Sequence, residues 1–189
     1  MLSDLLRSSD PRVRQAVAPI VADWADRLTE PRALLTPLVD DEHPRVRLEA
    51  VRALGRIPGV ESVQLALRAL DRPIDRNLDY GLWLTCRDLE MDWLPSVREG
   101  KLDFDGKTNR LLFGLRAVGS PSVVQPIVDL IRQGKVPATE EQGALTLLAN
   151  LGGPRELSFV FDLAQSGELA PARRAARPRT GAPRRWPRP

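Results

Sequence analysis

The residue types that carry out most enzyme chemistry are scarce in this chain. His43 is the single histidine and Cys86 the single cysteine, which excludes a cysteine-rich zinc site and a CxxCH haem attachment site. His43 follows three acids at 40–42, but a metal or catalytic site needs further ligands or partners from elsewhere. We therefore expect His43 to lie on the surface at a helix start and Cys86 to be a buried structural thiol. We expect no catalytic, cofactor-binding or metal-binding residue.

One cluster has the residue types of a binding surface. Asp75 and Asp79 are four positions apart, and Arg76, Tyr80 and Trp83 lie on the neighbouring edge of the same helical period. Acids beside aromatics could form a protein-binding face. The plainer interpretation, which the sequence favours, is that the aromatics belong to the core and the acids pair with nearby arginines. We keep the five residues as the candidate interaction surface.

The segment from Glu99 to Lys107 is the one long connection between predicted helices, and it contains Asp103 and Asp105. Two carboxylates on one loop form only a partial site for a hard cation. We expect a solvated turn here.

A repeat of about 33 residues predicts the elements that position these side chains. The sequence DPRVR at 10–14 recurs 33 residues later as HPRVR at 43–47, and RPIDR at 72–76 is a divergent third copy. Aspartate followed by proline favours a helix start, and an apolar residue followed by glycine favours a helix end. Such glycines stand at positions 55, 119 and 152. A regular period of this length is typical of stacked helical repeats.

Each unit predicts two amphipathic helices, because apolar residues recur at helical spacing and sustained period-two alternation is absent. We therefore expect an all-α, right-handed solenoid of about five helix pairs over residues 1–169, and a disordered tail at 170–189. The most buried residues are expected to include Leu54, Leu67, Leu82, Leu115, Ile127, Leu148 and Val160.

The stretch DEHPRVRLEAVRALG at 41–55 resembles the short bacterial HEAT repeat. Ankyrin repeats share the length, but TPL at 36–38 is a single fragment of their signature, and the tetratricopeptide spacing is missing. The HEAT resemblance implies a structural role for Arg14 and Arg47, which would pair with acids or carbonyls of the neighbouring repeat. Contact with a ligand is the alternative for these two residues.

Three further stretches carry a narrower resemblance: DRNLDYGLW at 75–83, WLP at 93–95 and LDFDG at 102–106. They are similar to the HEAT region of putative membrane-bound dehydrogenases of planctomycete-type bacteria, over roughly residues 31–169. Those extracytoplasmic proteins join a sorbosone-dehydrogenase-like propeller, a HEAT solenoid and a cytochrome c domain. This chain has neither the propeller nor CxxCH. The resemblance therefore implies a docking solenoid, a fragment or relative of such a dehydrogenase without its redox centres.

The positive charge of the chain is concentrated at its C-terminal end. The whole sequence has a net charge of +3, but residues 171–189 hold seven arginines and no acid. The remainder has 21 basic and 25 acidic residues, a net charge of −4, which disfavours nucleic acid as a partner of the body. The first 14 residues lack the pattern of a secretion signal, and no apolar run approaches the ~20 residues of a membrane span.

The arginine- and proline-rich segment at 171–189 has two interpretations. It could be a basic arm for nucleic acid or anionic surfaces. Alternatively, the reading frame is truncated or shifted, because out-of-frame GC-rich DNA yields arginine, proline and alanine, and the chain has only three lysines. We favour the second.

Three functions remain open at this point. The first is a non-catalytic scaffold for a protein partner or the adjacent domains of a larger dehydrogenase, which suits the long groove of stacked helix pairs. The second is a nucleic-acid-binding HEAT-like protein that uses the basic tail. The third is a lyase or chaperone for a tetrapyrrole protein, a function that no residue of the sequence supports. The scaffold is favoured, with no cofactor.

Deletion of residues 171–189 is expected to leave the melting temperature nearly unchanged, because a proline-broken arginine segment makes few buried contacts. Thermal unfolding of the full chain and of residues 1–170, followed by circular dichroism, checks this expectation. A large loss of stability on deletion would show that the segment packs as a genuine element.

Overall fold

The computed structural model describes residues 2–102 and 104–166, which contain eleven α-helices, two short 3-10 helices and no strand. Positions 1, 103 and 167–189, and with them the tail expected at 170–189, lie outside the described residues. The helices are α1 (Leu2–Leu6), α2 (Pro11–Asp23), α3 (Pro31–Val39), α4 (Pro44–Leu54), α5 (Val60–Leu67), α6 (Arg76–Asp88), α7 (Glu90–Arg98), α8 (Thr108–Val118), α9 (Val124–Arg132), α10 (Ala138–Leu151) and α11 (Pro154–Ser166).

The helices stack in two layers. Helices α2, α4, α6, α8 and α10 pack side by side in one layer, and α3, α5, α7 and α9 pack in the other. Helix α1 packs on α2 and α3 at one end, and α11 packs on α10 at the other. Five successive helix pairs, each in contact mainly with its neighbours, form an all-α solenoid. The predicted fold class is confirmed.

The helix starts follow the predicted caps, with one correction. Asp10 caps α2 by accepting from the backbone N–H of Arg12 at 2.8 Å, and His43 caps α4 through Nδ1, which accepts from the N–H of Arg45 at 3.3 Å. The third start is Asp75, which caps α6. RPIDR at 72–76, the divergent third copy, therefore does not start its helix at the proline: the cap is Asp75, which stands 32 residues after His43 (75 − 43) and close to the 33-residue period.

The core contains six of the seven leucine, isoleucine and valine residues that were predicted to be most buried. The six have no exposed surface: Leu54, Leu67, Leu82, Leu115, Ile127 and Leu148. The seventh prediction is wrong, because Val160 in α11 is only half-buried and its neighbour Phe161 is 61% exposed. Helix α11 packs on α10, and among the described residues no further pair covers its other side.

The WLP and LDFDG motifs lie in one packed unit around Trp93. The indole Nε1 of this buried residue donates to the carbonyl of Cys86 at 2.9 Å. Its ring meets the buried ring of Phe104 edge to face, with centroids 5.8 Å apart. Gly114 in α8 lies so close that a Cβ atom would come within 2.9 Å of the indole. These motif residues therefore join α6, α7 and α8 in the core.

Arginines that follow the helix starts connect one repeat to the next. Arg14 donates from Nε and Nη2 to both carboxylate oxygens of Asp41, at 2.7 and 2.9 Å. Arg47, at the same position of α4, donates at 2.7 Å to the carbonyl of Pro73, which precedes α6. The structural role expected for both arginines is thus confirmed.

The third polar junction links helices in the opposite direction. Arg110 of α8 is buried and donates to both carboxylate oxygens of Asp71, at 2.6 and 3.3 Å, and to Asp105 at 3.2 Å. The hydrogen bonds from Arg110 hold the pKa of Asp71 below its ordinary value. Asp105 therefore ties its turn to α8. Asp103, the other acid of the expected solvated turn, lies outside the described residues.

Substitution of Gly114 by alanine should destabilise the chain, because the added Cβ would overlap the buried indole of Trp93. Overpacking of this kind costs about 1–3 kcal/mol. Gly143→Ala is the matched control: it also lies within a helix, but its Cβ would meet the flexible guanidinium of Arg116. Alanine within a helix is more stable than glycine by about 0.5–1 kcal/mol, so Gly143→Ala should stabilise the chain. In urea unfolding, the two variants should change the free energy of unfolding in opposite directions. An equal effect of both variants would contradict this packing.

Loss of the Asp41 carboxylate should destabilise the chain at neutral pH and matter less in acid. Burial raises the pKa of Asp41, but hydrogen bonds from Arg14 and the His43 N–H outweigh burial and hold the pKa below its ordinary value. A lowered pKa in the folded state stabilises the fold above the unfolded pKa of about 3.9, and this stabilisation is lost as the pH falls further.

Asp41→Asn should therefore cost about 1–3 kcal/mol at pH 7, and the difference from the wild type should shrink below pH ~4. Denaturant titrations at several pH values measure this. Asp26→Asn, at an exposed pair 3.9 Å from Arg27, is the control and should change stability little. A pH-independent cost at Asp41 would contradict the ion pair.

Candidate interaction surface

All five residues of the predicted interaction surface lie at the start and middle of α6, but they differ in role. Asp75 accepts a hydrogen bond from the N–H of Leu78 at 2.8 Å, so its carboxylate caps the helix. Arg76 is exposed and Asp79 is half-buried. Tyr80 is 49% exposed, whereas Trp83 is half-buried and packs against the core. Tyr80 therefore faces solvent, Trp83 lies between solvent and the core, and Asp75 has a structural role as the helix cap.

The aromatic side chains form a continuous stack with an arginine. The rings of Tyr80 and Trp83 are 5.7 Å apart with an interplanar angle of 17°. The guanidinium of Arg87 lies over the ring of Trp83, 4.7 Å from its centroid. Such stacking and cation–π contacts hold the side chains in place. We call Tyr80, Trp83 and Arg87 the aromatic stack.

The prediction from sequence missed Arg87. The signal was present, because Arg87 follows Trp83 by four residues and side chains at this spacing are neighbours on a helix. The prediction also could not tell a core tryptophan from an exposed one. Trp93 is buried and Trp83 is partly exposed, although both lie in amphipathic helices.

A cavity of about 240 Å³ adjoins α6 on the side of α4 and α2. One side chain from each of α2, α4 and α6 lines it at the same position, nine residues after the helix cap: Pro19, Arg52 and Leu84. The helices approach closely here, because a Cβ atom on Gly81 would lie 2.8 Å from a methyl group of Leu48. Leu84 follows Tyr80 by one helical turn and connects the cavity to the aromatic stack.

Most arginines around this cavity are paired with acids. Arg45 and Arg52 both contact Glu49, at 3.6 and 3.4 Å, and Arg56 pairs with Asp23. These exposed pairs contribute little to stability and leave the face of mixed charge. Among the residues that line the cavity, Leu84 is an apolar side chain that is more than a third exposed.

A second cavity, of about 640 Å³, lies between α8 and α10. Its lining is polar and includes Arg116, Glu140, Gln142 and Thr146, and the first two form an ion pair. It contains none of the residues singled out from sequence.

The single cysteine and the single histidine have structural positions in the fold. Cys86 is fully buried, and burial raises the pKa of its thiol, which disfavours the nucleophilic thiolate. His43 uses Nδ1 to cap α4. Across residues 2–102 and 104–166, no three of the His, Cys, Asp and Glu side chains gather in a possible metal site. Every helix in these ranges is too short or too polar to span a lipid bilayer.

Comparison with known proteins agrees with the two-layer fold. No curated protein and no solved structure matches the chain significantly. The sequence model of the family described as HEAT repeats matches residues 1–79, which include helices α1 to α5 and the first turn of α6. The N-terminal part of the chain is therefore similar to HEAT repeats, and the later helix pairs continue the same stacking.

Proposed function

We propose that this protein is a non-catalytic scaffold that binds a protein partner, or an adjacent domain, through the aromatic stack on α6 and the cavity beside it. HEAT repeats suggest a protein-interaction role, and the similarity over residues 1–79 supports it at that general level. The observation that carries the specific site is the exposed, preformed stack of Tyr80, Trp83 and Arg87.

The residue types of this surface fit protein recognition. Tyrosine, tryptophan and arginine are enriched among the residues that dominate interface energetics, because they combine large contact area with polar groups. The stack is held on a helix whose other face contains the fully buried Leu78, Leu82 and Cys86. Binding therefore orders few additional side chains, which limits its entropic cost.

The chemistry of the surface indicates the kind of partner segment. Tyr80 and Leu84 offer apolar contact, and Arg76 and Arg87 are exposed cations on the same helix. A segment with apolar side chains and at least one acid complements this combination. An amphipathic helix or an extended peptide could lie across α6 towards the cavity lined by Pro19 and Arg52.

The identity of the partner is a finer proposal that rests on sequence. The motifs at 75–83, 93–95 and 102–106 support a neighbouring domain of a larger dehydrogenase with a cytochrome c domain. Core packing explains part of the likeness, since Trp93 and Phe104 are buried. The DNA that follows the codon of residue 189 tests this proposal: a CxxCH sequence in any frame would support it, and an unrelated gene would not.

The binding surface is tested with Tyr80→Ala/Arg87→Gln, a double variant that leaves the half-buried Trp83 in place. A photo-cross-linking amino acid at Leu84 identifies the partner in cells of the source organism, and calorimetry with the purified partner measures affinity. The double variant should bind on the order of tenfold or more weakly, the loss that interface hot spots produce.

Met91→Ala is the control, because Met91 is a large exposed apolar residue of α7 in the other layer. It should leave the affinity within about twofold, as is usual for residues outside the hot spot. Circular dichroism verifies that both variants are folded. Equal affinity of the double variant and the wild type would refute the site, even if a protein partner exists.

A further inference from the structure

The junction between the second and third helix pairs contains an arginine whose charge has no hydrogen-bonded carboxylate. Arg47 is only 3% exposed and lines a cavity of about 380 Å³ at the loop between η1, the 3-10 helix over Arg68–Asp71, and α6. The cavity is distinct from the aromatic stack and from the cavity beside it, and the inference does not depend on the proposed function.

Arg14 shows what the same position looks like when its charge is neutralised. Both arginines stand four residues after a helix cap, and the Nη1 atom of each donates to two carbonyls of the preceding loop. In the first junction, Nε and Nη2 of Arg14 then bind the carboxylate of Asp41. That acid lies two residues before the cap of α4.

In the second junction the corresponding residue is Pro73, two residues before the cap Asp75. Pro73 can offer only its carbonyl, which accepts from Nη2 of Arg47 at 2.7 Å. The Nε atom of Arg47 is buried and has no hydrogen-bond partner among the described residues. The orphaned donor is thus the same atom that binds a carboxylate in Arg14.

This arrangement is costly for the isolated chain. The carboxylates of Asp41 and Asp75 act on Arg47 through space but are not hydrogen-bonded to it, and the unmade hydrogen bond of Nε adds to the cost of burying this cation. Burial and the nearby charge of Arg72, which also lines the cavity, lower the pKa of Arg47. Arginine nevertheless stays protonated in proteins. The cavity therefore brings two cations together, with Glu42 and Asp75 as the acids of its wall.

We propose that this cavity binds the carboxylate of an aspartate or glutamate side chain from a protein partner, in the place that Asp41 occupies in the first junction. The carboxylate would accept from Nε, the donor that Arg47 leaves without a partner, while Nη2 keeps its hydrogen bond to the Pro73 carbonyl. Pro44 and Ile74 in the wall provide apolar contact for the methylene groups of such a side chain. Glu42 and Asp75 repel any anion, and they repel an anion with two negative charges more strongly than a carboxylate.

The test uses the full chain, with nitrogen-15 in its arginines, and follows the Nε–H signals by NMR. The probes are a capped Ala-Glu-Ala peptide, the capped Ala-Gln-Ala peptide, and inorganic phosphate. The glutamate peptide should shift the Arg47 signal saturably, and the glutamine peptide should not. The Arg14 signal is the internal control, because Asp41 already occupies its Nε. The site-resolved signal separates this cavity from the arginines at 171–189.

Two variants complete the test. Arg72→Gln, an exposed substitution, should weaken binding on the order of tenfold, as expected for a lost charged contact. Pro73→Asp places a carboxylate where the first junction has Asp41, so it should abolish the response to the peptide and raise the melting temperature. If Pro73→Asp does not fold, the Arg72 variant alone decides.

Four results would overturn the proposal. The first is an equal response to the glutamine peptide, and the second is a stronger response to phosphate than to the glutamate peptide. The third is an unchanged Arg47 signal up to the solubility limit of the peptide. An Arg14 signal that shifts as much as Arg47 would also count against a specific site, since it would indicate general charge screening.

Discussion

The fold depends on one constraint: a pair of amphipathic helices cannot bury its apolar surface alone. Each pair in the middle of the array is covered by a neighbour on both sides, which is why leucines such as Leu54, Leu82 and Leu115 are completely buried. The last described pair shows the same rule from the opposite side. Leu148 of α10 is buried, whereas Phe161 of α11 remains largely exposed. Stacking, rather than the helix pair itself, creates the core.

Apolar stacking does not by itself fix how one pair sits on the next, and three arginines add this directionality: the half-buried Arg14 and the buried Arg47 and Arg110. Arg14 reaches forward to a carboxylate, Arg47 reaches forward to a carbonyl, and Arg110 reaches back to Asp71. A buried guanidinium needs hydrogen-bond partners at defined positions, so each contact restricts the sliding of neighbouring helices. The three junctions meet the same requirement with different acceptors, and only the second lacks an acid bonded to its arginine.

Local signals in the sequence were sufficient to predict the helices, but they were not sufficient to predict which residues of other repeats each helix contacts. Residues within four positions were enough to predict two helix caps and one helix end, and the structure agrees: Asp10 and His43 are caps, and Gly119 ends α8. The start of α6 at Asp75 agrees with the 33-residue period counted from His43, whereas the local likeness of RPIDR at 72–76 to DPRVR pointed to a start at Pro73.

The candidate site was predictable to the same extent. Helical spacing placed Tyr80 and Trp83 on one edge and could have added Arg87. Which edge faces solvent, and whether Arg47 meets an acid, depends on residues about 26 positions away in the next repeat.

The burial of Cys86 in the third pair makes it a natural reporter. Stacked repeats open in cooperative blocks, so a thiol reagent reaches the Cys86 thiol only when the helix pairs in the middle of the array separate. The rate at which the reagent labels Cys86 therefore measures how often these pairs separate, without an added probe.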